Sequence, residues 1–145
     1  MATLKVDGFE MVDAQLNKLG RTGIRTIVEA GAAAAEKRMR MATQRAGHVP
    51  PGKSGRATGD MAASIGMNEY REYFHGGSVD VYPQGDDRKG IRNADKAYIL
   101  NYGRGGAKKT DGMGDRFITS DEKKTEEAVL AAMQEESDRL LSEIQ

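Results

Sequence analysis

Two histidines, a Gly-Lys-Ser tripeptide and a few loop aspartates are the residues of this chain whose types suit chemistry. His48 and His75 each sit beside a glycine. A zinc site or a histidine pair would need a second ligand at HxxxH or HExxH spacing, and neither has one. Both read as exposed loop residues. Asp86-Asp87 and Asp111 lie in polar loops without the regular oxygen-ligand spacing of an EF-hand. Gly52-Lys53-Ser54 has the ending of a phosphate-binding loop, where glycine amides and a lysine cradle phosphates. The upstream glycine of that motif is sought at Ala46 and reads as missing, and no strand-like segment precedes it, so an ordinary loop is expected. Serines are present without a G-x-S-x-G elbow or a credible base. The chain has no cysteine, which removes disulfides, thiolate metal sites and cysteine nucleophiles. These tests leave no reaction centre, so the expectation is a protein without catalysis, metal or cofactor.

Basic loops are the next candidates. Lys53 and Arg56, then Arg88, Lys89 and Arg92, then Arg104, Lys108 and Lys109 all lie near glycine. Positive loops contact phosphates without reading sequence, so Lys53, Arg56, Arg88, Lys89 and Arg92 are candidate DNA-facing residues. Acidic residues balance them: Lys+Arg and Asp+Glu both number 22 in 145 residues, for zero net charge. No recognition-helix or RNA-binding signature accompanies them. Non-specific nucleic-acid binding therefore stands as the second reading, behind a solvated surface.

These residues must be held by a small domain. Hydrophobic residues make up 38% and aromatics 6%, with three Phe and no Trp. That supports one modest core, and oligomerisation would bury more. The opening residues lack the pattern of a secretory signal, and no run approaches the roughly 20 apolar residues of a membrane span. Synthesis in the cytoplasm, with no membrane partner and no small-molecule substrate, is the expectation.

Phe9, Val12, Leu16 and Leu19 share one helical face, with Asp7 as N-cap and Gly20 as a stop. Periodicity resumes through Ile24, Ile27, Val28 and the Ala32–Ala35 run, placing helix over 8–46, with the basic residues Arg38 and Arg40 on a solvated face. Residues 47–57 are a Pro/Gly loop. An α+β body follows over 58–102. In it Thr58 caps a short helix holding Met61, Ala62 and Ile65, 66–73 and 77–82 form a hairpin, and Asn93 caps a helix ending at Tyr102 before Gly103. A basic loop over 103–115 is expected to be mobile. Thr119-Ser120-Asp121-Glu122 reads as a capping box opening an amphipathic helix over 119–144, whose tail is long enough to reach a partner. The fold class expected is α+β: a long N-terminal helical region, a small antiparallel sheet, a short helix and a long C-terminal helix, in one domain spanning 1–145.

The stretch from Ala94 to Ile118 joins an aromatic and aliphatic cluster (Tyr98, Ile99, Leu100, Tyr102) to the basic loop and then to Asp115-Arg116-Phe117-Ile118. Tyr98 and Phe117 are expected to be more buried than Tyr102.

In order, the chain carries Thr58-Gly59-Asp60-Met61-Ala62-Ala63-Ser64-Ile65, a β-region, Ala97-Tyr98-Ile99-Leu100-Asn101-Tyr102-Gly103, a variable loop, Arg116-Phe117-Ile118 and a last helix. This order resembles the gene-product-ten-like tail-component family of long-tailed bacteriophages. There a TG-x-L-x-x-SI segment precedes a Y-A/I-x-x-x-E-F/Y-G segment and an R-P/F-F segment. The resemblance covers roughly residues 9–140. Met61 stands for the usual Leu, Asn101 for a common acidic residue, and the proline after the loop is missing. The resemblance implies a virion protein at the head–tail junction, described as a neck or tail-completion protein, that assembles as a ring, commonly sixfold, around the DNA passage. Its partners would be copies of itself, the head connector and the tail terminator or tail-tube proteins, with non-specific contact to genome DNA. Interface residues expected on this basis are Tyr98, Tyr102, Arg104, Lys108, Lys109, Arg116 and Phe117. Alanine at Lys108 and Lys109 would then spare folding and reduce tail joining.

Overall fold

The computed structural model describes residues 9–50, 57–74, 76–103 and 114–144. The fold is α+β. Helix α1 (Phe9–Arg45) is followed by α2 (Asp60–Ala63), strands β1 (Ile65–Met67), β2 (Arg71–Tyr73), β3 (Gly76–Ser78) and β4 (Val81–Pro83), then α3 (Asn93–Tyr102). A 3₁₀ turn over Thr119–Asp121 leads into α4 (Glu122–Ile144). Asp7, Lys53, Arg56, His75, Arg104, Lys108, Asp111 and Lys109 lie outside the described residues.

Gly20 breaks α1: its φ of 50° and ψ of −167° are not helical, a conformation that glycine adopts without a Cβ penalty. After it, α1 runs antiparallel to α4 and supplies the main helix–helix packing. The small residues of α1 let the helices approach closely. A Cβ placed on Gly31 would lie 2.8 Å from Met133 Cγ and 3.2 Å from Val129 Cγ1, closer than side chains pack. Toward the other end of α4, Leu140 and Leu141 remain half-buried.

The hairpin has four short strands where two were expected. β1 pairs with β4 and β2 with β3, both antiparallel. Met67 faces Val81 and Arg71 faces Ser78, so three residues on the first side oppose two on the second, and the register shifts by one. Asn68 bridges the mismatch. Its backbone N–H donates to Asp80 O (3.0 Å), and its Oδ1 accepts from Asp80 N–H (2.7 Å). A side-chain amide replaces a ladder bond at this bulge.

The core is small. Ala42, Met61, Ala97 and Phe117 form its central cluster, with Ala46 and Ile118 packed against it. Ile65, 2% exposed, belongs to β1 and not to the helix where the sequence placed it. That helix, α2, stops at Ala63. Its N-cap is Gly59 in the left-handed region, and Thr58, one residue earlier, accepts from the Asp60 N–H through its Oγ1 at 3.4 Å. Arg40 of α1 covers the C-terminal end of α2, donating to Ala62 O at 3.3 Å and to Ile65 O. Cations at helix C-termini are favourable, so Arg40 is a structural residue and not merely a solvated one.

Candidate assembly interface

Helix α3 is inside out relative to its sequence. Its buried positions are Asn93, Ala97 and Asn101, which fall at intervals of four and share one face. Tyr98, Ile99 and Leu100 are 49%, 47% and 36% exposed. Tyr102 is half-buried, and its ring lies 4.9 Å from that of Tyr98, one turn away. The expected order of burial is therefore reversed for the two tyrosines.

Asn101 explains the orientation. Its Oδ1 accepts from the backbone N–H of Ile118 (3.0 Å) and of Thr119 (3.1 Å), and its Nδ2 donates to Thr119 Oγ1 (2.7 Å). Its carbonyl accepts from Arg116 N–H at 3.0 Å, and Leu100 O accepts from Asp115 N–H at 2.9 Å. The end of α3 and the start of the C-terminal segment are thus stitched together, although ten residues separate their described ends. Gly114 permits this approach: a Cβ there would come within 2.4 Å of Asn101 O. Gly103 ends α3 as expected, with φ of 84° and its N–H on Ile99 O at 2.7 Å. Asn93 is not the cap. Arg92 occupies that position, and Asn93 turns inward to donate to Gln84 O at 3.0 Å.

Thr119 likewise serves Asn101 and not a capping box; the first turn is 3₁₀ and no side chain caps it. Asp121 is 7% exposed and accepts from Arg38 Nη2 (2.6 Å), Arg38 Nε (3.2 Å) and Arg45 Nη2 (3.4 Å). This ionic cluster locks the start of α4 onto α1. The sequence reading missed it because its partners stand 76 and 83 residues apart.

Phe117 is 6% exposed, with its ring 4.8 Å from His48 in an edge-on arrangement. It belongs to the core of one subunit, which removes it from the expected interface. Arg116 has a positive φ of 53°, uncommon for a residue with a side chain, and its backbone N–H is held by Asn101. His48 Nε2 lies 2.6 Å from Asp115 Oδ2, joining the end of α1 to the same junction.

The basic group on the described residues is Arg88, Lys89 and Arg92. Asp60 holds Arg88 through Nε (2.9 Å), Nη2 (2.7 Å) and the backbone N–H (3.1 Å), which ties Arg88 to a carboxylate and leaves it less suited to a phosphate. Asp87 organises the loop: its Oδ1 accepts from Lys89 N–H and Ile91 N–H, both at 2.8 Å, and its Oδ2 pairs with Lys96. Lys89 and Arg92 remain exposed. Among the described residues no group of carboxylates and histidines is arranged to hold a metal, and no helix is long and apolar enough to cross a membrane.

Read from Gly47, the segment Gly47-His48-Val49-Pro50-Pro51-Gly52-Lys53-Ser54 has the complete G-x-x-x-x-G-K-S spacing of a phosphate loop. The upstream glycine is therefore present, at Gly47, and the expectation that it is missing at Ala46 is wrong. Context decides against it. What precedes is a helix, and Gly47 closes that helix with φ of 77°. Its N–H donates to Gln44 O (3.0 Å), and that of His48 to Thr43 O (3.1 Å), the paired bonds of a Schellman cap. The first amides of the loop are therefore spent on the helix end, and Pro50 and Pro51 have none to offer.

Among the described residues three carboxylates are held below their ordinary range: Asp60 by hydrogen bonds from Arg88, Asp87 by Lys96 and then the Ile91 amide, and Glu136 by Arg139. A lowered folded pKa stabilises the fold above the ordinary carboxylate value of about 4 and loses that effect as pH falls through the folded value. Melting temperature should thus fall on acidification below about pH 4, with solvent screening limiting the size of the drop. Asp60→Asn should flatten that dependence, as followed by circular dichroism.

Comparisons of the chain with protein-family models, curated proteins and solved structures give no match.

Proposed function

We propose that this chain is a structural protein of the head–tail junction of a tailed bacteriophage or prophage, a neck or tail-completion subunit of an oligomeric ring around the DNA passage. The observation that carries the reading is the outward apolar face of α3. Tyr98, Ile99 and Leu100 stay exposed while asparagines occupy the interior face. Contiguous exposed apolar surface on a small protein marks an interaction site, and aromatic residues are enriched at the centres of such sites.

The economy of the core points the same way. Among the described residues six hydrophobic side chains are buried, three of them alanine, whereas eleven large ones are exposed. A subunit of this kind completes its burial on assembly. The ordered motif series from Thr58 to the last helix supplies the phage part of the reading, with the connector, the tail terminator or the tail-tube proteins as neighbours and the virion as location. No catalytic step, cofactor or membrane contact belongs to the role.

Sedimentation velocity across a concentration series tests the assembly. The native chain should form species several times the monomer mass, and Tyr98→Asp combined with Ile99→Asp should return it to monomer with the helical spectrum intact. Native chain that stays monomeric, or a double variant that assembles normally, would overturn the proposed interface.

A further inference from the structure

We propose that the groove between the α1–α2 connection and α3 docks a short partner segment carrying adjacent aliphatic side chains flanked by carboxylates. The groove encloses about 670 Å³, within the roughly 300–1,000 Å³ of ligand-accepting pockets. Met61, Ile91, Ile99 and Leu100 line it. The last three are between 36% and 49% exposed, so its floor offers apolar surface for a partner to bury.

Charge decides which partner fits. Three cations, Arg88, Lys89 and Lys96, line the groove against two carboxylates, Asp87 and Asp115. Asp87 pairs with Lys96, and Asp115 Oδ2 lies 2.6 Å from His48 Nε2. Arg88 on the rim is matched by Asp60. Lys89 on the rim and Arg92 at the start of α3 are exposed and have no acidic side-chain partner among the described residues. The backbone of the loop carrying Lys89 is fixed by the Asp87 carboxylate, which anchors the base of that side chain at the rim, with Arg92 just outside the lining. Preorganised charge of this kind selects a complementary anion and disfavours a cation. Ala57 and Thr58 line the groove in irregular backbone that makes no main-chain hydrogen bond among the described residues. Main-chain donors and acceptors beside an apolar floor suit an extended peptide. The inference rests on the groove and not on the phage reading.

The test is a methyl NMR titration of the full chain with acetyl-Glu-Leu-Leu-Glu-amide, its Gln-flanked and Lys-flanked analogues, and a short DNA duplex. The expected result is saturable shifts at Met61, Ile91, Ile99 and Leu100 with the acidic peptide, about fivefold weaker binding of the Gln peptide and weaker still of the Lys peptide. Lys89→Glu with Arg92→Glu, both at exposed positions, should abolish the preference for the acidic peptide and leave the spectrum of the free protein otherwise unchanged. Absence of shifts at these methyls, equal binding of all three peptides, or saturation of the site by DNA in place of peptide would overturn it. Failure here leaves the assembly reading standing, since that is read from mass.

Discussion

Asn101→Ala should destabilise the protein by about 2–4 kcal/mol, because two part-buried amides lose their acceptor together. Ile118 N–H and Thr119 N–H both donate to Asn101 Oδ1, and Asn101 itself is 2% exposed, so water has little room to replace it. At a few degrees per kcal/mol for a domain of this size, the melting temperature should drop by roughly 10 °C. Asn101→Asp separates the acceptor from the rest of the side chain. An aspartate keeps an oxygen toward both amides, and the Thr119 hydroxyl can rotate to donate to it. The charge would lie at the C-terminal end of α3, where the dipole opposes it, and near the start of the C-terminal helical segment, where the dipole favours it. Asp should accordingly cost less than Ala. Urea denaturation of the three proteins checks it, and equal losses for Ala and Asp would show that the acceptor is not what matters.

The second large effect is expected at Asp121. Its carboxylate is the shared acceptor for Arg38 and Arg45 and accepts from Thr125 Oγ1 at 3.2 Å. Asp121→Ala strands Arg38, whose side chain is 19% exposed, beside the start of α4. Removing one partner of a fully buried pair costs about 3–5 kcal/mol; the partial exposure of Arg38 and the greater exposure of Arg45 bring the expectation to about 2–3 kcal/mol. Replacing both charges, in Arg38→Met with Asp121→Leu, should recover most of the loss, because no uncompensated charge remains. A double variant as unstable as Asp121→Ala would show that the cluster acts through shape and not through charge pairing.

Long-period patterns carried over from sequence to structure, whereas contacts between distant residues did not. The apolar stripe of α4 and the small residues of α1 after Gly20 meet in a helix–helix contact, Gly31 against Val129 and Met133, because helical periodicity records which side faces a neighbour. Gly20 and Gly103 end helical runs where the sequence placed them. The α3 cluster misled because Tyr98, Ile99 and Leu100 look like core by composition. Asn101, polar and unremarkable in sequence, is turned inward by two amides about seventeen residues later. The hairpin was visible in outline, but its bulge depends on one asparagine side chain substituting for backbone. Asp87 and Asp121 looked like loop and helix-start acids. Asp87 is held by partners within nine residues, the Lys89 and Ile91 amides and Lys96, whereas Asp121 is buried where Arg38 and Arg45 converge on it from α1, without local signal. The capping box failed for the same reason, since the Thr119 hydroxyl meets Asn101 before it can serve its own helix. Five of the candidate interface and DNA-facing residues, Arg104, Lys108, Lys109, Lys53 and Arg56, lie outside the described residues, so the site is drawn from α3 and its surroundings.

The central claim is that this chain joins heads to tails. Electron microscopy of particles released from cells encoding the chain, with its gene intact and deleted, tests that most directly. The account predicts DNA-filled heads and separate tails on deletion, whole particles with the gene restored, and antibody label on the restored particles at the head–tail junction. Whole, infectious particles in normal yield without the gene would contradict it.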